Sequence, residues 1–293
     1  MILQTQRYLY NLRQLYIIED MKRIAIITGA SSGIGEEFSR QVCEKYDYDE
    51  IWIIARRKEK LEALATSLNA TKNFNVVRPV EMDVAGKEGV ERLKTFLAEE
   101  DEKLHKVESG IEIGLLINNA GFGTYGPFAE TSINRQMDMI DLNCTTVTGI
   151  CGIALPYLKA GSVIINTASL AAFLPLGNFA VYGATKSYVL SFSVALAAEL
   201  HDKGIKVCAL CPGSVSSEFA NVASNGARKE VKGGFPPHKV VAQCLRRAFK
   251  GKTVALYRPK WRINAFLSRF IGRYLGARFT YKYNPRPHNP DLQ

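Results

Sequence analysis

Tyr182 and Lys186 stand four residues apart in the run Val181-Tyr182-Gly183-Ala184-Thr185-Lys186, thirteen residues after Ser169. On a helix, positions i and i+4 lie one above the other on a single face. An ammonium held near a phenol favours the phenolate and draws its pKa down toward working pH. A serine hydroxyl arriving from the end of a neighbouring strand can hold the oxygen that the phenol protonates. The three residue types at this spacing make up an acid–base catalyst, which needs a reaction partner elsewhere in the chain.

That partner is a nucleotide. Thr28-Gly29-Ala30-Ser31-Ser32-Gly33-Ile34-Gly35 follows the apolar run Ile24 to Ile27 and leads into Glu36 to Cys43, which has the apolar spacing of a helix. Strand, glycine turn and helix form the context that a dinucleotide site requires. Glycines let the backbone approach a pyrophosphate, and a helix N-terminus offers N–H groups and the positive end of its dipole. Gly29, Ser31, Ser32, Gly33, Ile34 and Gly35 are therefore expected to cradle the cofactor.

The elements that must position these residues alternate along the chain. Strands are expected at about 23–28, 50–55, 74–80, 113–117, 162–167, 205–211 and 253–257, with helices at 34–46, 58–69, 87–104, 132–159, 181–203 and 238–250. Continuous Ile/Val/Leu strands alternating with helices predict an α/β fold: one doubly wound domain of about seven parallel strands with helices on both faces. Ligands then sit at the carboxyl ends of the strands, where the motifs fall.

In that frame the chain resembles the short-chain dehydrogenase/reductase family. The motifs that carry the likeness are Thr28–Gly35, Asn118-Asn119-Ala120-Gly121, Asn143, Ser169, Tyr182 with Lys186, and Pro212-Gly213, in the family's order and spacing from about Lys22 to Leu256. The chain is most similar to a bacterial branch of ketoacyl and hydroxysteroid reductases. The resemblance implies a Rossmann domain over 21–258, a ketone–alcohol oxidoreductase, and a dimer or tetramer. It implies that Tyr182 is general acid in reduction and general base in oxidation. Lys186 then lowers the tyrosine pKa and binds the nicotinamide ribose, Ser169 polarises the substrate oxygen, and Asn143 kinks a helix and holds a water that links Lys186 to solvent. It further places Asp83 and Val84 beside the adenine, Asn119, Ala120 and Gly121 beside the adenosine ribose, and Pro212, Gly213, Val215 and Ser217 at the nicotinamide carboxamide. Turn and cap roles for Asp83 and Asn119 are equally open.

The second strand chooses between the two dinucleotides. It ends in Ala55-Arg56-Arg57, where a site for NAD places a carboxylate on the ribose 2′-OH. A guanidinium instead pairs with a 2′-phosphate. NADP(H) is the expected cofactor, with Arg56 on the phosphate and Arg57 adding charge or stacking on the adenine. The alternative is that both arginines are solvated, paired with Glu59 or Glu62.

The loops around the reacting centre read apolar. Phe122, Tyr125 and Phe128 follow the fourth strand, and Leu170, Phe173 and Phe179 lie between Ser169 and Tyr182. A small apolar carbonyl or alcohol fits such a lining: a ketoacyl chain, a steroid or bile-acid ketone, or a xenobiotic ketone. No arginine cluster for a carboxylate is evident, and residues 214–237 read as a lid.

Composition bounds the rest. The chain has 293 residues, 47% hydrophobic, with no dividing linker or repeat. No apolar run is long enough to span a membrane, and residues 1–20 form an extension that lacks the unbroken apolar stretch of a signal peptide, so a cytoplasmic location is expected. Six cysteines in this length suggest no disulfide framework, and Cys208 and Cys211, three apart in a strand, point to opposite faces, so no metal site is expected. The net charge of +10 concentrates in 251–293, which carries nine Lys/Arg against Asp291. Within 259–293, Ile263, Phe266, Leu267, Phe270, Ile271, Tyr274 and Leu275 recur at helical period through Trp261–Leu275, beside Arg262, Arg269 and Arg273. Such a helix covers the pocket or a dimer interface, or makes peripheral contact with an anionic membrane. No nucleic-acid motif accompanies the charge. The competing function is a catalytically silent NADP-sensing or interaction protein of the same fold. The intact Asn143, Ser169, Tyr182 and Lys186 argue against it.

Overall fold

Ile24, Ala25, Ile26 and Ile27 are all buried because β1 (Lys22–Thr28) runs through the middle of a sheet covered on both faces. The computed structural model describes residues 21–72, 75–105, 110–229, 233–284 and 286–290. The expected extension at 1–20 lies outside the described residues. The sheet also contains β2 (Glu50–Ala55), β3 (Val77–Glu81), β4 (Ile111–Asn118), β5 (Val163–Thr167), β6 (Lys206–Leu210) and β7 (Val254–Ala255). Its order is β3-β2-β1-β4-β5-β6-β7 and every pairing is parallel. Pro79, which cannot donate to a ladder, lies in the edge strand β3.

Side-chain alternation sorts the strands onto two helical layers. Ala25, Ile27, Ile51, Ile53, Leu115 and Ile117 face the layer of α1 (Gly33–Lys45), α2 (Lys58–Asn69) and α8 (Pro237–Phe249). Ile24, Ile26, Trp52, Ile54 and Leu116 face α3 (Gly86–His105), α5 (Thr146–Ala154) and α6 (Ala180–Glu199). Two buried faces explain why these strands read as unbroken apolar runs. Chain order reverses across β1 and β4, which opens a crevice at their carboxyl ends.

Three expectations need correction. The helix predicted over 132–159 is α4 (Ile133–Ile140), a π turn at Asp141–Thr145, and α5. The extra residue of the π turn carries Asn143 inward, a local event that a 3.6-residue period does not register. This interrupted run, Ile133–Tyr157, is also long and apolar enough to cross a membrane by length and composition, which the sequence reading overlooked. It packs as a layer helix here, with Val147, Ile150, Cys151 and Ala154 buried against its neighbours. Finally, the C-terminal helix breaks into α9 (Pro259–Leu267) and α10 (Arg273–Tyr283), with Gly272 extended at the N-cap of the second. Their buried faces are Trp261 with Ala265, and Gly276 with Thr280. The apolar stripe read from the sequence points outward.

Candidate active site

The turn after β1 bends because Gly29 takes φ +67°, a left-handed conformation that favours glycine. Gly35 is needed for closeness: a Cβ there would run into the Gly29 carbonyl and the Asn119 amide. Thr28 ties this turn to β4, its hydroxyl accepting from the N–H groups of Asn119 (3.0 Å) and Ala120 (3.1 Å). The Asn119 amide donates to the carbonyls of Thr28 (3.2 Å) and Gly29 (3.3 Å). The first-turn N–H groups of α1, which have no partner inside the helix, are thus held at the crevice. This glycine cradle fits a dinucleotide pyrophosphate.

The crevice is a cleft of about 1890 Å³. Gly29, Ser31, Ser32, Gly33, Ile34, Arg56, Arg57, Asp83, Val84, Asn119, Ala120 and Gly121 line one end, and Pro212, Gly213, Val215 and Ser217 line the side beyond β6. Ser169, Tyr182, Lys186, Phe122, Leu170, Phe173 and Phe179 line the rest. Of the expected site residues, Gly35 and Asn143 stay behind the wall. Phe128, grouped with the pocket on sequence, is 56% exposed and lies outside the cleft. Asp83 also makes a turn contact, accepting from the N–H of Ala85 at 3.1 Å.

At the centre, α6 presents Tyr182 and Lys186 from one face, both buried. Ser169 follows β5 and caps a short turn, accepting from the N–H of Ala171 at 3.1 Å and donating to the Pro212 carbonyl at 3.4 Å. The Tyr182 ring stacks on Phe179 with centroids 4.1 Å apart and packs on Phe219 at 5.4 Å. Burial raises the phenol pKa well above its usual value, and the adjacent Ser169 hydroxyl draws it back in part. Burial pushes the Lys186 ammonium down to about 8, against smaller opposing effects from Cys144 and Cys211. The ammonium donates to the Thr167 carbonyl at 2.8 Å and lies 5.7 Å from the Tyr182 ring centre. Among the protein's own groups, burial dominates the tyrosine pKa, and the lowering influences come from Ser169 and Arg286. Asn143 is fully buried and committed: its amide bonds the Phe122 N–H and carbonyl at 3.2 and 2.9 Å, and donates to the Thr185 hydroxyl at 3.1 Å.

Two charged features escaped the sequence reading. Arg57, rather than pairing with Glu59 or Glu62, donates to the Ser31 and Ser32 hydroxyls at 3.0 and 2.8 Å and pairs with Glu218 at 2.7 Å. Lys60 holds the other oxygen of Glu218, also at 2.7 Å. Lys60 and Arg57 together bring the Glu218 carboxyl down to about 2. Arg286, over one hundred residues beyond Tyr182, enters the cleft with Arg228. Its guanidinium lies 4.7 Å over Phe179 and 5.2 Å over Tyr125. Its Nε is buried with no hydrogen-bond partner, and among the described residues no carboxylate pairs with it or with Arg228. Burial lowers its pKa, yet a guanidinium stays charged. No local pattern announces Arg286; only its packing does.

The segment after β6 is fastened at its base, where Val215 bridges Phe235 and the N–H of Phe235 donates to the Ser214 carbonyl at 3.0 Å. Its short helix α7 (Phe219–Ala223) sets Phe219 against Tyr182.

A doubly wound sheet with a dinucleotide cradle at its crossover, opening on a buried Tyr/Lys/Ser group, defines a nicotinamide-dependent oxidoreductase. The family model for short chain dehydrogenase matches residues 23–227. The chain belongs to the short-chain dehydrogenase/reductase family. It is 31% identical over 212 residues to serine 3-dehydrogenase of Agrobacterium fabrum, covering 70% of this chain and 77% of that one. It is 30% identical over 217 residues to mouse (Mus musculus) 17-beta-hydroxysteroid dehydrogenase type 3, covering 72% and 66%. Among solved structures it is similar to a Sphingobium yanoikuyae short-chain dehydrogenase in complex with NADPH, at TM-score 0.70 and 25% identity, covering 85% and 94%. A Burkholderia phymatum family member in complex with NAD shares the fold at TM-score 0.70 and 21% identity, covering 94% and 99%.

Proposed function

We propose that the protein is an NADP(H)-dependent oxidoreductase that interconverts a ketone and a secondary alcohol on an apolar substrate, with Tyr182 as the acid–base group. The observation that carries this reading is the buried Tyr182 hydroxyl beside Ser169, where the dinucleotide end of the cleft meets its aromatic end. When bound, the nicotinamide supplies or accepts the hydride. The chain's own residues orient the substrate, exclude water and move the proton. Ser169 holds the substrate oxygen, and Tyr182 gives that oxygen its proton in reduction and removes it in oxidation. The high pKa that burial imposes keeps the phenol protonated and ready as the acid. Lys186, 5.7 Å from the Tyr182 ring centre, binds the nicotinamide ribose. Asn143 fixes the Phe122 backbone at the pocket edge and, by family likeness, holds a water that links Lys186 to solvent.

Arg56 and Arg57 support NADP(H) over NAD(H), since relatives of this fold carry either dinucleotide. Glu218 then occupies the cations that a 2′-phosphate would claim. Arg228 and Arg286 favour the substrate classes that bear an anion, ketoacyl and bile-acid ketones, over neutral xenobiotics. Exposed Ile133, Met137 and Ile140 on α4 and Tyr188 and Val194 on α6 support a homo-oligomer, and a cytoplasmic location is retained as part of the same reading.

The test is NADPH oxidation by the purified protein against ketoacyl thioesters, bile-acid and steroid ketones, and small aromatic ketones, with Tyr182→Phe as control. Turnover of one class by the wild type alone supports the reading. Tight NADPH binding without turnover of any class favours the sensing protein.

A further inference from the structure

The C-terminal helices are built inside out. α9 meets the body through Trp261 and Ala265, and α10 through small residues: the Thr280 hydroxyl accepts from the N–H of Gly177 at 2.9 Å, and Gly276 lies against Leu174. Apart from Trp261 the large apolar side chains face away, with Phe270 at 73%, Tyr274 at 76% and Leu275 at 69% exposure, joined by Phe266 and Phe279. Residues 259–284 contain Lys260, Arg262, Arg269, Arg273, Arg278 and Lys282 and no Asp or Glu. Among the described residues, none of the six pairs with a carboxylate.

Water is a poor partner for this much contiguous aromatic surface. A second copy is little better. A two-fold interface sets a patch against itself, so six cations would meet six with no acid between them. An anionic bilayer satisfies both features: aromatic and aliphatic side chains enter the headgroup–acyl boundary while arginine and lysine meet lipid phosphates. We propose that the exposed face of α9 and α10 docks on an anionic phospholipid surface. Lys260, Leu267 and Ile271 also line the mouth of the cleft, so docking sets that mouth against lipid. The docking itself does not depend on the reductase reading.

The test is co-sedimentation of the full chain with phosphatidylcholine vesicles, with and without phosphatidylserine. Binding to the anionic vesicles that weakens with added salt is expected. Arg269→Gln with Arg273→Gln should weaken it on the order of 25-fold, about fivefold per arginine. Phe270→Glu with Leu275→Glu should weaken it at least ~100-fold, with thermal midpoint and NADPH affinity unchanged because both side chains lie at the surface. Wild-type protein left in the supernatant overturns the proposal, as do variants that sediment like wild type. So does a dimer, seen by analytical ultracentrifugation, that Phe270→Glu with Leu275→Glu makes monomeric without any vesicle binding in the wild type; the face then belongs to a second copy.

Discussion

Lys186 donates its ammonium to the carbonyl of Thr167 at 2.8 Å, and so is anchored to the end of β5, the strand that also delivers Ser169. The lysine and the serine are thereby held to one short piece of backbone, Thr167 at the strand end and Ser169 two residues beyond it, where the Ser169 hydroxyl also donates to the Pro212 carbonyl. Burial, the largest influence on Lys186, holds its pKa near 8, below its usual 10.5.

A pH dependence follows. The rate of ketone reduction, followed as kcat/KM, should fall as pH rises through about 8, because Lys186 loses its charge there. Lys186→Arg, which keeps the charge, should remove that limb of the profile. Stability moves the other way. Between about 8 and 10.5 the unfolded lysine binds a proton that the folded one does not, so this group makes unfolding harder as pH rises across that window. Denaturant titrations of wild type and Lys186→Met at both ends of the window check the sign; a rise equally present in the variant assigns it elsewhere.

Tyr182→Phe should lower turnover by about 10²–10⁴ and leave NADPH affinity near that of wild type, measured by fluorescence titration. The Phe179 stack preserves the ring position, so a fold defect is not expected. Near-normal turnover would remove Tyr182 from the acid–base role.

Arg56→Ala and Arg57→Ala should each raise the KM for NADPH far more than that for NADH. Glu218→Gln should act oppositely, lowering the NADPH KM a few-fold, roughly what exposed ion pairs contribute, since Arg57 and Lys60 are then released to the 2′-phosphate. Equal changes for both cofactors would defeat the assignment.

Arg286→Met should raise the KM for ketones that carry a carboxylate by about 10- to 100-fold, the range of hydrogen bonds to charged groups. Neutral ketones of the same shape should be unaffected. Steady-state kinetics on a matched ester and acid pair read the difference, and parallel losses on both would reduce Arg286 to a packing role.

The sequence by itself determined the sheet and the residues gathered at the centre of the cleft. Ile24 to Ile27 and Ile51 to Ile54 could be read as central strands because burial on both faces demands unbroken apolar runs. Thr28 to Gly35 and Tyr182 to Lys186 could be read because their geometry is local: a turn, a helix start, one helical face. What only the tertiary structure decided depends on residues far apart in the chain. Glu218 reaches Arg57 across 161 positions, and Arg286 meets Phe179 because the chain after α10 enters the cleft. The π turn at Asn143 and the outward face of Phe270 and Leu275 belong to the same class. Periodicity shows that a helix has an apolar side. Whether that side turns toward the core is set by what it meets, and here Gly276 and Thr280 fit against Gly177 and Leu174 where the aromatic rings could not.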